Sequence, residues 1–233
     1  MYLFWNNSFY LLHTMVRKII FGSIWLAFVL YTIFFAPAPV GQETLDLIIN
    51  LSIIKWEGIN PIIIAIFYIM GVFPWVYAAF ILFDSPGQKI SAYPFFIGSI
   101  GFGAFALLPY FALRQPNNTW NGEKNLLLKV LDSRLMAISS SITIIVFIVW
   151  GLTRGDWSDF MAQWQTSQFI HIMSLDFCLL CLLFPDILQD DMERREVKQK
   201  QFVWLAVLIP LLGPLVYWCL RPQLPEVVAE SVT

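Results

Sequence analysis

Six apolar, aromatic-rich segments, each about as long as a lipid bilayer is thick, dominate this sequence of 233 residues. A hydrocarbon core about 30 Å thick needs ~20 apolar residues in a helix. The apolar runs are continuous rather than alternating, which is typical of helices and not of barrel strands. The sequence therefore predicts an all-α, polytopic transmembrane bundle of about six spans, forming one membrane domain over residues 1–233. The predicted spans are 19–36, 62–83, 93–113, 135–152, 165–185 and 202–220.

Composition supports a membrane protein and excludes several classes of function. Charged residues make up 13% of the chain, whereas soluble proteins carry roughly 25%. The net charge of −2 and the lack of a basic tail indicate no nucleic-acid partner. The apolar segments make the lipid bilayer the expected partner. The three Cys lie outside the loops and predict no disulfide framework.

Three shorter segments have mixed apolar and polar character. Residues 43–54 and 122–132 place apolar side chains at helical spacing, which predicts helices lying on the bilayer surface. Residues 1–15 are apolar but too short to span, so an interfacial helix is expected there as well. For 43–54 and 122–132, ordinary loop is the alternative.

The charges between the spans give conflicting evidence on orientation. Loops 114–134 and 186–201 carry most of the Lys and Arg, which favours the cytoplasmic side for them, or the stromal side in a plastid. Arg17 and Lys18, beside the first span, favour the opposite orientation. Because residues 186–201 mix acids and bases densely, they are interpreted as a solvated connector.

Two ionisable residues fall inside predicted spans, where charge is costly. Five residues of helix turn by about 500°, so His171 and Asp176 point in directions about 140° apart and do not pair on their own helix. For His171 we weigh a hydrogen-bonded histidine near the interface against an axial ligand to the magnesium of chlorophyll or the iron of a haem. A bis-histidine haem is disfavoured, because the only other histidine, His13, lies outside the spans. For Asp176 we weigh a hydrogen bond to the serines around Ser140, or to a backbone carbonyl, against a proton or ion relay. Arg134, at the start of the fourth span, completes the set of polar candidates.

Enzyme signatures are missing from the sequence. There is no H-E-x-x-H, G-x-S-x-G or P-loop pattern, so no catalytic residue and no metal ligand is predicted, and we expect a non-enzymatic protein. Cys178 and Cys181 form C-x-x-C in lipid-like surroundings, where thiols are inert. With one intramembrane acid and no convincing internal repeat, transport is not favoured.

Four stretches carry a resemblance. NPIIIAIFYIMGVFPWVYAAFILFD, YPFFIGSIGFGAFALLPYFALRQP, MSLDFCLLCLLFPDILQDDM and WLAVLIPLLGPLVYWCLRP resemble an uncharacterised family of multi-pass membrane proteins of cyanobacteria and chloroplasts. The resemblance covers most of residues 17–222. It implies a thylakoid protein, an accessory or assembly subunit of a photosynthetic complex such as a photosystem, with chlorophyll or carotenoid as candidate ligands.

Two other functions remain open at this point. One is a small transporter or channel that uses Asp176. The other is a membrane enzyme acting on a lipid or isoprenoid through Asp176 or the Asp190–Asp191 pair.

Overall fold

A computed structural model describes residues 2–38, 41–120, 123–199 and 201–225, with side chains from Met15 onward, and every regular element in these ranges is a helix. By length and composition, five helices could cross a membrane. The prediction of an all-α membrane bundle is therefore confirmed. Within the described ranges the helices are α1 (Tyr2–Phe34), α2 (Gly41–Ser52), α3 (Pro61–Asp84), α4 (Tyr93–Leu113), α5 (Leu126–Leu131), α6 (Arg134–Arg154), α7 (Trp157–Thr166), α8 (Gln168–Arg194), α9 (Gln201–Leu208) and α10 (Leu212–Leu220).

Local sequence explains where the long helices begin. The side chain of Asn60 accepts a hydrogen bond from Ile62 N at 3.0 Å, and Pro61 occupies the first turn of α3. Ser133 caps α6 in the same way, accepting from Met136 N at 3.2 Å. Helix α3 is apolar on every side and lies at the centre of the bundle, between α4, α6 and α8.

Helix α4 is not a straight span, because it folds back on itself at Gly103. This glycine has φ +46° and ψ −123°, which side chains with a Cβ rarely adopt. A Cβ built on Gly98 would lie 3.2 Å from the Cβ of Ala106, and the rings of Phe95 and Tyr110 are 5.5 Å apart. In a straight helix, residues 95 and 110 would be separated by about 22 Å. Helix α4 is therefore a re-entrant hairpin whose arms, each about 15 Å long, reach halfway through the hydrocarbon core.

The predicted sixth span, 202–220, also differs from a straight helix. It forms a second hairpin, in which α9 and α10 are joined around Pro210. The rings of Phe202 and Tyr217 are 5.4 Å apart, and Gly213 packs so closely on the backbone of Leu205 that no Cβ would fit. The apolar segments were long enough to span, but a glycine and a proline redirect them midway.

Both hairpins enter from the end of the bundle where α3 and α8 finish. Ala92 N, just before α4, donates to Ser85 Oγ at 3.0 Å, and Arg114, just after it, bonds to Asp84. Arg221, after α10, bonds to Asp191 near the end of α8. We call this the ionic end of the bundle. The opposite end, where α2 and α7 lie, is called the far end, and four helices (α1, α3, α6 and α8) connect the two.

The two hairpins belong to an internal repeat with a constant offset of 107 residues. Helices α3 and α8 start 107 residues apart, and so do the turns of the hairpins at Gly103 and Pro210. The copies run in the same direction, which makes them parallel repeats, as in some transporters. The expectation of no convincing repeat is therefore wrong. The residues that correspond across the offset are Asp84 and Asp191, Phe95 and Phe202, Gly98 and Leu205, Ala106 and Gly213, Tyr110 and Tyr217, and Arg114 and Arg221.

The predicted interfacial segments are also helical where the structure describes them. Residues 43–54 correspond to α2, and the described part of 122–132 contains α5. The backbone of 2–15 is continuous with α1, while the side chains of residues 1–14 lie outside the described residues.

Candidate functional site

Asp176, about a third of the way along α8, holds the turn of the first hairpin. The turn at Gly103 interrupts the helical hydrogen-bond pattern, and Ala104 N donates instead to Asp176 Oδ1 at 2.7 Å. A freed backbone group inside a membrane requires such a partner. A Cβ on Gly103 would collide with the Asp176 carboxylate, so both the backbone conformation and the lack of space require glycine. Among the described residues, Asp176 Oδ2 has no hydrogen-bond partner.

Helix α1 fixes the same turn from the other side. Trp25 Nε1 donates to Phe105 O at 3.0 Å, and the rings of Phe28 and Phe105 stack with centroids 4.1 Å apart. Trp25 lies near the middle of the candidate span Met15–Phe34, and the hairpin arms are about 15 Å long, so the turn lies at mid-bundle depth.

The turn and Asp176 line a cavity of about 480 Å³. Cavities of this size hold small-molecule ligands in other proteins. The cavity extends from Asp176, which is only 5% exposed, toward the far end, where Thr44 of α2 and Gln168 of α8 line it. The remaining wall is formed by aromatic, Met and Gly residues, among them Phe67, Met70, Gly71, Phe102, Phe169 and Met173.

Asp84 closes the first repeat at the ionic end. Its carboxylate accepts from Arg114 Nε at 2.8 Å and Nη2 at 2.9 Å, and from the Tyr110 hydroxyl at 2.8 Å. Arg114 also pairs with Asp186 and Asp190. Burial lowers the pKa of Arg114, but its hydrogen bonds to Asp84 and the neighbouring acids outweigh that effect and raise the pKa overall. The Arg114 guanidinium therefore stays charged although it is buried.

Asp191 closes the second repeat in the same way. It accepts from Arg221 Nη1 at 3.0 Å and from the Tyr217 hydroxyl at 3.0 Å, and Arg195 Nε adds a bond at 2.9 Å. Arg194 joins the two repeats, because its Nη2 bonds to Asp84 at 3.1 Å and its Nη1 to Asp191 at 3.3 Å. The side chains of these three pairs of Asp and Arg are almost completely buried.

The interpretation of 186–201 as a solvated connector is thus wrong for its helical part. Residues 186–194 continue α8, and Asp191 and Arg194 are buried in the ion-pair network. Asp190 and Asp191, the pair considered for a lipid-modifying enzyme, are both engaged with arginines. Hydropathy alone predicts that such residues are exposed, because it carries no information about partners that are far away in the sequence.

His171 lies apart from Asp176, near the far end. One ring nitrogen is 2.8 Å from the Tyr31 hydroxyl and the other is 2.9 Å from Trp164 O. The ring also stacks between Tyr31 and Trp164. A role as axial ligand to chlorophyll stays a prediction, and it would require Tyr31 or Trp164 to give up its bond.

The other polar candidates are not brought to the cavity. Ser140 is buried in α6, and Arg134 is exposed at the first residue of α6, at the ionic end. Asp176 bonds to the first hairpin rather than to the serines of α6. Over the described part of the chain, no group of three or more His, Cys, Asp or Glu is arranged to hold a metal ion.

The sequence did contain a signal for the repeated ion pairs that was missed. The spacing Asp-x25-Tyr-x-x-Leu-Arg occurs at Asp84 to Arg114 and again at Asp191 to Arg221. Comparison of the chain with protein-family models, with curated proteins and with solved structures gives no match. These observations support an integral, multi-pass helical membrane protein, in which residues 61–114 and 168–221 form two parallel repeats.

Proposed function

We propose that this protein is a membrane transporter for a small solute, and that the cavity at the turn of the first hairpin is its substrate site. The observation that carries the proposal is Asp176 bonded to a broken helix at mid-bundle depth, beside a cavity. Transporters with repeated halves bind their substrates at such interrupted helices near the bilayer midplane. The parallel repeat provides the two repeated halves that such transporters have.

The two ends of the bundle support a transport cycle. The cavity extends toward the far end, whereas the ionic end is blocked by the network that Arg194 joins. A site open to one side and closed to the other corresponds to one state of an alternating-access mechanism. Opening the ionic end requires the pairs of Asp84 and Asp191 to separate or rearrange, so the network acts as the gate.

The hairpins also support one orientation of the protein in the membrane. With both hairpins entering from the ionic end, eleven of the described Lys and Arg residues lie at that end and two, Lys55 and Arg154, lie at the far end. Because α4 is a hairpin and not a span, Arg17 and the loops after α4 and α8 lie on the same side of the membrane. The positive-inside rule then assigns the ionic end to the cytoplasm, or to the stroma in a plastid.

Cysteine accessibility tests the proposal without knowledge of the substrate. Gly71 lines the cavity and a Cβ there meets open space, so Gly71→Cys is tolerated. In a variant whose three native cysteines are replaced by Ala, we expect an impermeant methanethiosulfonate to label Cys at position 71 from the far side. Adding Arg194→Met should allow labelling from the ionic side as well. Failure to label from either side would contradict a transport cavity.

The resemblance supports a second candidate function, an accessory or assembly subunit of a photosynthetic complex in the thylakoid membrane. The apolar outer face of the second hairpin, with Trp204 65% and Leu208 75% exposed, offers contact area to lipid or to a partner. This candidate predicts co-migration with a pigmented complex in mild detergent. A colourless protein migrating alone would count against it and would leave the transport proposal intact.

A further inference from the structure

Among the described residues that line the cavity, one is acidic and none is basic. Asp176 is the only ionisable residue among the described residues that line it. Its Oδ1 is bonded to Ala104 N, and its Oδ2 has no partner in the described part of the chain. A carboxylate in such an apolar place is strongly stabilised by a cation of matching size.

The hairpin adds further negative potential to the same place. The first arm of α4 ends at the cavity, where Ser99, Ile100 and Phe102 line the wall. The C-terminal end of a helix carries the negative end of its dipole. The positive end of the second arm, at Ala104, is already paired with Asp176.

The far end, toward which the cavity extends, also favours a positively charged ligand. Five acids at the far end (Glu43, Asp46, Glu57, Asp156 and Asp159) outnumber the two bases there, Lys55 and Arg154. Acidic entrances raise the local concentration of cations. Glu43 and Asp46 adjoin Thr44 and Leu45, which line the cavity, and the other three acids lie elsewhere at the far end. All five are separate from Asp176, so the two observations are independent.

The rest of the wall suits an apolar body rather than a hydrated ion. Aromatic rings and thioethers of Met line the cavity, and aromatic faces attract organic cations. From these observations we propose that the site binds an apolar organic monovalent cation, with its charge at Asp176 and its body on the side chains of Phe67, Met70, Phe102, Phe169 and Met173. This inference rests on the proposed function for its physiological meaning, but binding itself can be measured without transport.

A pair of ions with the same shape and opposite charge tests the inference. We would measure binding of tetraphenylphosphonium and tetraphenylborate to the purified full-length protein in detergent, corrected for partitioning into empty micelles. We expect the cation to bind and the anion not to bind. Binding of the anion with equal or greater affinity, or no binding of the cation, would overturn the proposal.

Two variants tie that binding to the cavity. Asp176→Asn keeps an oxygen for Ala104 N but removes the charge, so we expect affinity for tetraphenylphosphonium to fall at least about tenfold. Gly71→Leu fills the cavity and leaves Asp176 in place, and it should also abolish binding. Gly22→Leu is the matched control, because a Cβ at Gly22 also meets open space but Gly22 does not line the cavity. Its affinity should equal that of the unmodified protein.

The outcomes separate this inference from the transport proposal. If tetraphenylphosphonium does not bind although Cys at position 71 labels from both sides as described above, the cavity is a transport path for another class of solute. If the cation binds and Asp176→Asn or Gly71→Leu leaves its affinity unchanged, the binding lies elsewhere and the inference fails. If Asp176→Asn does not fold, as judged by its melting curve, the comparison of Gly71→Leu with Gly22→Leu decides.

Discussion

The two re-entrant hairpins share one set of Asp, Tyr and Arg contacts, which we call the frame, and they differ at their turns. In both, an Asp from the preceding helix binds a Tyr and an Arg of the second arm, with identical spacing. The first hairpin turns at Gly103 and is held by Asp176, whereas the second turns at Pro210, and the position equivalent to Asp176 is Ile69. The shared residues are those that fix the architecture. The acid occurs in one copy only, and besides accepting from Ala104 N it lines the cavity with an Oδ2 that has no hydrogen-bond partner among the described residues. This is why we assign the function to the first hairpin.

The largest effect is expected from breaking the shared frame. Asp84→Asn and Asp191→Asn each leave buried arginines without a full counter-charge, which should lower the free energy of unfolding by about 3–5 kcal/mol. The two losses should be similar, because the two frames are equivalent. The measurement is unfolding by SDS titration in mixed micelles. Asp186→Asn serves as the control, since its partly exposed side chain should cost only about 1 kcal/mol.

The next effect distinguishes the two turns. Gly103→Ala must place a Cβ at positive φ and against the Asp176 carboxylate, so the free energy of unfolding should fall by at least about 1–2 kcal/mol. Pro210→Ala should change it by less than about 1 kcal/mol, because its turn does not require positive φ. The same titration measures both variants. Equal effects at the two turns would contradict the difference described above.

Asp176 has two roles, as a hydrogen-bond acceptor and as a charge, and variants that separate them should have a smaller effect on the free energy of unfolding. Asp176→Ala leaves Ala104 N without a partner inside the bundle, which should cost about 1–3 kcal/mol of stability. Asp176→Asn still accepts that hydrogen bond and should stay within about 1 kcal/mol of the unmodified protein while losing affinity for the cation. If Asn destabilises as much as Ala does, the charge itself is structural, and the assignment of Asp176 to ligand binding would be wrong.

The smallest effect is expected on the outer face of the second hairpin. Trp204 is 65% exposed, so Trp204→Ala should change the free energy of unfolding by no more than about 0.5 kcal/mol. Its melting curve in detergent should overlay that of the unmodified protein. A larger loss would indicate that this face is covered in the folded protein, and it would weaken the contrast between the hairpins.

Much of the fold follows from the sequence, and the exceptions have physical reasons. The apolar segments are local signals that predict where the long helices form, and the caps at Asn60 and Ser133 that begin α3 and α6 are equally local. Whether an apolar segment is straight or folded back depends on partners elsewhere, because composition and length are the same in both cases. The turn of segment 93–113 is held by partners that are distant in sequence, among them Asp176, which lies 73 residues beyond Gly103 and accepts the hydrogen bond of the interrupted backbone.

The buried ion pairs at the ionic end were not predicted from the sequence for a related reason. Charged residues at the ends of apolar segments are usually solvated, and nothing local distinguishes Asp84 or Asp191 from that case. Their partners Arg114 and Arg221 lie 30 residues further along the chain in each copy. Only the repetition of that spacing marks the pairs as structural. Asp176, in contrast, was recognisable as a candidate from its depth alone, but its partner was not.

The measurement that tests the account most directly is the sidedness of the residues on either side of the first hairpin. Lys89 and Thr119 are exposed just before and after α4, and Glu57 is exposed at the far end. In the cysteine-free background described above, Cys at positions 89 and 119 should react with an impermeant reagent from the same membrane face, and Cys at position 57 from the opposite face. Labelling of positions 89 and 119 from opposite faces would mean that α4 crosses the membrane, and the hairpin, the repeat and the site at Asp176 would all be contradicted.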